Sequence, residues 1–276
     1  MKPFINRLLG YLAVAGPGAV VLQLLARFVA PRELVPLVAQ LLGQTLLLYV
    51  LSRVVEARDW WELAGLLPIP RPPRLLAEHP VLVVGLLGLA GGLVAQTIRM
   101  ASGELSALGR AAVAHSSTAT VVILVAETML LVSINEEVLF RGLALGALLR
   151  DRQATRPHVY QAVLTVSVLF GLAHLIRQAP ISTRLTLVAS TAAFGVLYSG
   201  VRLASGTIWV GLVAHGLWDA TLTLRTFTSS KAVADAAGPV RWSQTTVTIV
   251  LLLGIGVGLI EASLRDHNPQ PALPDR

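Results

Sequence analysis

Four stretches of nineteen residues, 8–26, 34–52, 80–98 and 242–260, contain no charged side chain. A helix of nineteen residues is about 28 Å long, close to the roughly 30 Å hydrocarbon core of a bilayer. Each stretch is therefore predicted to be a transmembrane helix. The runs are continuously apolar, whereas strands of an outer-membrane barrel alternate and are about ten residues long, so a barrel is excluded. The whole chain points the same way. Of its 276 residues 54% are hydrophobic and 13% charged, with a mean hydropathy of +0.70, which excludes a water-facing globular surface.

Marking each apolar span by its flanking charges predicts about eight transmembrane helices, at 8–30, 34–55, 80–98, 112–149, 158–177, 184–202, 206–224 and 242–263. The expected fold is all-α, a polytopic integral membrane helical bundle in which residues 1–276 form a single transmembrane domain. The fourth helix is too long for one straight crossing, so it is expected either to run beyond the bilayer or to contain a break near Ser133 and Asn135. Residues 56–80 hold Trp60, Trp61, Pro68, Pro70, Pro72 and Pro73, a composition suited to an interfacial loop at headgroup level. Residues 268–276 carry Pro269, Pro271 and Pro274, cannot build a core, and are expected to form a disordered tail.

An even number of spans puts both termini on one side. Twelve basic residues then lie on that side against nine opposite, an excess that predicts cytoplasmic N- and C-termini. The Ala- and Arg-rich composition points to a multi-pass protein of a bacterial inner membrane. Although the formal charge is +7, the 22 Lys and Arg are scattered singly between apolar runs, as topology determinants rather than a nucleic-acid face. The absence of cysteine excludes disulfides, thiolate metal ligands and cysteine nucleophiles.

An ionised side chain at the bilayer centre costs about 2.5 to 3.5 kcal/mol on insertion scales, so each one requires a partner, a wet cavity or a function. The acids inside predicted spans are Glu127, Glu136, Glu137, Asp219 and Glu261, accompanied by Arg141, His174 and His215. Glu261 has Arg265 one turn further on, a spacing for a structural ion pair. Glu127 falls on the opposite side of its helix from Glu136, where it packs against another helix or marks a separate pathway. Glu137 likewise has Arg141 one turn on. Neighbours in an α-helix diverge by about 100°, so Glu136 is expected to occupy a different environment and to lack a partner. A buried carboxylate without a cation is suited to accept a proton at neutral pH, although an ion network that only locks helices together is the alternative.

His174 sits deep in the fifth predicted span, while His215 and Asp219, four residues apart, share one face of the seventh. A single polar cluster joining three helices is the economical arrangement. No H-E-x-x-H zinc helix, G-x-S-G serine turn or G-x-G-D aspartate site is present. Gly142 with Gly146, and Gly254 with Gly258, are spaced for close helix packing.

In chain order these residues spell E-E-x-x-x-R (Glu136, Glu137, Arg141), F-x-x-x-H (Phe170, His174) and H-x-x-x-D (His215, Asp219). Over residues 118–222 the pattern resembles the catalytic core of the CPBP intramembrane proteases, a family that includes the CAAX prenyl proteases and bacteriocin-processing or immunity proteins. The resemblance implies a hydrolase, an endopeptidase cleaving near a membrane-embedded or lipidated segment of a peptide or protein substrate. Carried onto this chain, it makes Glu136 the catalytic general base, His174 a ligand that binds or polarises the attacking water, and His215 the oxyanion donor. Glu137, Arg141 and Phe170 support them. Asp219 stands where many members have Asn. An ionised aspartate cannot donate to an oxyanion, so Asp219 either orients His215 or is protonated. No cofactor is expected on this reading. A zinc-dependent version of the same protease is one alternative, and a non-catalytic membrane scaffold or proton-coupled transporter is the other.

Overall fold

The computed structural model describes residues 80–107, 109–110, 132–149, 155–176, 181–229 and 242–266. The spans predicted at 8–30 and 34–55, the interfacial loop short of Pro80, Glu127 and the tail 268–276 lie outside the described residues. Among the described residues the elements are α1 (Pro80–Ala101), α2 (Ser133–Glu136), a π-helical segment (Glu137–Ala144), α3 (Leu145–Leu149), α4 (Arg156–Ala173) with a 3-10 turn (His174–Ile176), α5 (Ile181–Ser205), α6 (Trp209–Thr228) and α7 (Trp242–Asp266). No strand occurs among them. The helices α1 and α5, together with Thr245–Arg265 of α7, are long and apolar enough to cross a membrane. They coincide with three predicted spans, and α4 and α6 fall on two more. The molecule is an all-helical, multi-pass membrane protein.

The helix ends form two layers. In the first, His158 at the start of α4 donates from Nε2 to the Leu148 carbonyl at the end of α3, at 2.9 Å. There too, Leu82 near the start of α1 packs with Val201, Val210 and Leu259. In the second layer the C-terminal ends of α1 and α6 are pinned together. The Ser106 amide donates to the Phe227 carbonyl at 2.7 Å, and the Thr228 hydroxyl donates to the Gln96 side-chain oxygen at 2.6 Å. With Ser133–Leu149 taken as one continuous helix, the described helices alternate in direction, as successive crossings of a bilayer require. Their outer faces are apolar: Val81, Val84, Leu87, Val94 and Ile98 on α1, and Val247, Val250 and Leu251 on α7, are exposed. Lipid rather than water is the solvent for such a surface.

Helix α5 lies centrally, packed against α4 and α7. Glycine allows the closest approaches. A Cβ at Gly195 would lie 2.8 Å from the Ser167 Cα, and one at Gly256 would lie 2.9 Å from the Leu197 Cα. The expected packing pair Gly254 and Gly258 does not make this contact, since a Cβ at either meets nothing within 4 Å. Two residues turn a helix by about 200°, so Gly256 faces α5 while the flanking glycines face away. The connection from α5 to α6 is only three residues long and passes through Gly206 at φ +70°, a left-handed conformation that other residues adopt at a cost.

Glu261 is structural, as expected, but its partners differ from the one expected. It accepts from the Tyr160 hydroxyl at 2.6 Å and pairs with Arg156 Nη2 at 2.8 Å, both on α4. The close tie therefore runs between helices, and the expected Arg265 adds a weaker attraction along α7.

Candidate functional site

In the stretch predicted as the fourth helix, the helix is continuous over the described residues 133–149, but its backbone hydrogen bonding changes just beyond Asn135. From Glu137 the chain is π-helical for eight residues, and the Leu145 amide reaches back five residues to the Phe140 carbonyl. Isolated π-helical turns inside α-helices are frequent at functional sites. Here the wide turn carries Glu137, Phe140 and Arg141 into the core, where all three are buried.

Arg141 Nη1 donates to Glu137 Oε1 at 3.0 Å, and the two side chains are 0% and 1% exposed. The Arg141 guanidinium also covers the Phe170 ring at 4.1 Å and lies 5.4 Å from that of Tyr198. Such cation–π contacts strengthen away from water. Phe170 in turn stands edge-on to Phe140, with ring centres 5.1 Å apart. Glu137 Oε1 is shared, because His215 Nδ1 lies 3.0 Å from it. A carboxylate only accepts, so Nδ1 carries a proton, and Nε2 is the nitrogen turned outward, where a second proton makes the ring an imidazolium. His215 Nε2 lies 3.6 Å from Glu136 Oε2 and 3.4 Å from Asp219 Oδ2.

Glu136 therefore has a partner, contrary to the expectation from helical divergence. The divergence itself holds, but one imidazole spans it: its two nitrogens point in different directions, one to each glutamate. A gradient of exposure runs through the cluster. Glu137 and Arg141 are closed off, while the Glu136 and Asp219 side chains are 25% and 22% exposed and form a rim. That rim faces the layer where α4 ends and α5 begins.

Of the residues singled out from the sequence, the structure brings together Glu136, Glu137, Arg141, His215 and Asp219, with Phe170 beneath Arg141. His174 stands beside them through Phe170, whose ring is 5.0 Å from that of His174 and 6.3 Å from that of His215. Its Nδ1 donates to the Phe170 carbonyl at 2.9 Å, making Nε2 the acceptor nitrogen of the neutral ring. Two contributors carry no signal in the motifs. Tyr198 of α5 stacks on His215 at 5.1 Å and 18°, fixing the plane of the ring. Gly211, one turn before His215, makes room for Glu137, whose Oε2 would lie 3.1 Å from an added Cβ. An aromatic residue and a glycine inside apolar spans look like packing, and only the fold reveals their neighbours.

A catalytic zinc of the kind weighed from the sequence needs three protein ligands converging on one point. Among the described residues no three His, Asp or Glu side chains are disposed in that way. His215 Nδ1 is held by Glu137 and His174 Nδ1 by a carbonyl, contacts that orient an imidazole for ligation and for hydrogen bonding alike.

The fold and the cluster define a polytopic membrane protein with an acid–histidine site inside its helical bundle. Residues 117–221 match the family model described as Type II CAAX prenyl endopeptidase Rce1-like. That segment coincides with the one spanned by the three motifs, so the likeness to membrane proteases of the CAAX type is shown there. No curated protein and no solved structure matches the chain.

Proposed function

We propose that this chain is an intramembrane endopeptidase that hydrolyses a peptide bond near a membrane-embedded or lipidated segment of its substrate. The observation that carries the reading is the rim: Glu136, Asp219 and His215 Nε2 meet within 3.6 Å above a closed Glu137–Arg141 base. Glu136 takes a proton from a water molecule whose oxygen attacks the scissile carbonyl, and His174 Nε2 accepts a hydrogen bond from the same water. The carbonyl π electrons move onto oxygen, where His215, as an imidazolium with Nδ1–H held by Glu137, donates Nε2–H to the developing charge. Collapse of the adduct breaks the C–N bond, and Glu136 returns its proton to the leaving amine. Glu137 holds the His215 ring from Nδ1, Tyr198 holds it from its face, and Arg141 offsets the charge of Glu137. With the termini cytoplasmic, the rim faces the opposite side of the membrane.

Glu136→Gln removes the base but keeps the shape. The expected result is a loss of peptide cleavage by a factor of about 10² to 10⁴ with folding retained. Comparing membrane peptides from cells carrying each form tests this; identical fragments would reject proteolysis, and loss of pH-coupled flux instead would indicate a proton-coupled transporter. Activity that is lost on chelation and restored by zinc would overturn the metal-free route. Asp219→Asn is expected to retain substantial cleavage, because Glu137 already fixes His215; a folded but inactive variant would make the Asp219 carboxyl part of the chemistry.

A further inference from the structure

A second polar site lies in the layer where α3, α5 and α7 end and α4 and α6 begin. An open cavity of about 890 Å³ is lined there by Arg156, Arg202, Arg265 and one acid, Glu261. Its volume is that of a site for a small organic ligand. Glu261 is already engaged by Tyr160 and Arg156. Arg265 is exposed and lies within electrostatic reach of Glu261, whose close contacts are to Tyr160 and Arg156. Arg202 is partly buried, its Nε is shielded from water without an acceptor, and no carboxylate among the described residues pairs with it. A cation withdrawn from water in this way requires a counter-charge.

The surroundings define that charge. Arg202 lies three residues before the end of α5, about 5 Å by helical rise, and Arg265 lies one residue before the end of α7, so both stand at headgroup depth. Apolar side chains, including Val159 and Leu203, form another part of the wall. Guanidinium groups recognise phosphate oxygens with matched geometry, and an apolar wall suits a ligand that carries hydrocarbon.

We propose that this cavity binds a phosphate-bearing anion, supplied by the headgroup of an acidic phospholipid. The site is separate from the rim, since Arg202 lies one turn beyond Tyr198, towards the other layer. Its occupancy does not depend on proteolysis.

The test uses the full chain in maltoside micelles, titrated with dihexanoylphosphatidylglycerol, dihexanoylphosphatidylcholine or inorganic phosphate while the unfolding midpoint is followed. Phosphatidylglycerol is expected to raise the midpoint, and phosphatidylcholine to raise it much less. Arg202→Met should have the higher midpoint without anion and bind phosphatidylglycerol about ten- to a hundredfold more weakly. A response to inorganic phosphate as strong as that to phosphatidylglycerol supports the same site with a soluble anion as its source. Equal responses to both lipids, or a full response from Arg202→Met, overturn the proposal. Should Arg202→Met fail to fold, Arg265→Gln provides the second arm: a few-fold weaker binding is expected, and unchanged binding overturns the proposal. The Glu136→Gln form should respond as the wild type does, so failure of the protease reading leaves this result standing.

Discussion

Arg141 and Arg202 are both drawn into the helical bundle, in settings that differ in enclosure and in counter-charge. Arg141 is fully enclosed, yet it donates to Glu137 at 3.0 Å and lies over the Phe170 ring at 4.1 Å. Arg202 keeps an edge on an open cavity and has no acid of its own chain beside it among the described residues. Enclosure is tolerable for Arg141 because the chain carries the counter-charge on the same turn. Where the chain supplies no counter-charge, the arginine stays within reach of water and of ligands. The first setting stiffens a site, and the second leaves one ready to be filled.

The largest expected effect separates the two directly. Arg141→Met strands the Glu137 carboxylate in the core and should cost about 3 to 5 kcal/mol, the usual penalty for breaking a buried pair. Arg202→Met removes a charge that nothing in the described structure offsets, and should leave unliganded stability unchanged or higher. Chemical unfolding in micelles compares the two, and equal losses would erase the distinction.

A smaller effect concerns the wall of the cavity. Gly206 holds φ +70° between α5 and α6, so Gly206→Ala should cost about 1 to 2 kcal/mol even though an added Cβ meets nothing within 4 Å. Gly258→Ala, in equally open space but inside a helix, should show no loss. Equal stability of the two variants would mean that the turn relaxes, and with it the spacing that sets Arg202 at the cavity.

The contrast also explains what the sequence could reveal. Glu136, Glu137, Arg141, His215 and Asp219 were legible because a charged group within a membrane span demands a reason, and motif spacing fixed which faces they share. Alternation of the helices was legible from uninterrupted apolar length. The π-helical turn was not, because a shift of backbone hydrogen bonds by one residue leaves no mark in side-chain pattern. Nor was the pairing of Glu261 with Arg156 and Tyr160, which depends on how α4 meets α7; local spacing instead offered Arg265. Gly256 differed from Gly254 and Gly258 only in rotation about the axis of α7. Arg202 looked like a topology determinant, and the cavity beside it exists only once four helix ends are assembled.

Tyr198 permits the finest test, because it stands between the two settings: its ring stacks on His215 and lies 5.4 Å from the Arg141 guanidinium, one turn before Arg202. If its contribution is the ring face, Tyr198→Phe preserves it, and both stability and cleavage should stay near wild type. Tyr198→Leu removes the face, and with it a stacking interaction worth about 0.5 to 1.5 kcal/mol beyond apolar burial. Because the ring also fixes the plane of His215, cleavage by Tyr198→Leu should fall in kcat more than in KM when compared at equal folded fraction. Phosphatidylglycerol binding should be unaffected in both variants. A Tyr198→Phe form as impaired as Tyr198→Leu would transfer the role from the ring to the hydroxyl, and a loss of lipid response in either would join into one site the two regions that the arginines now divide.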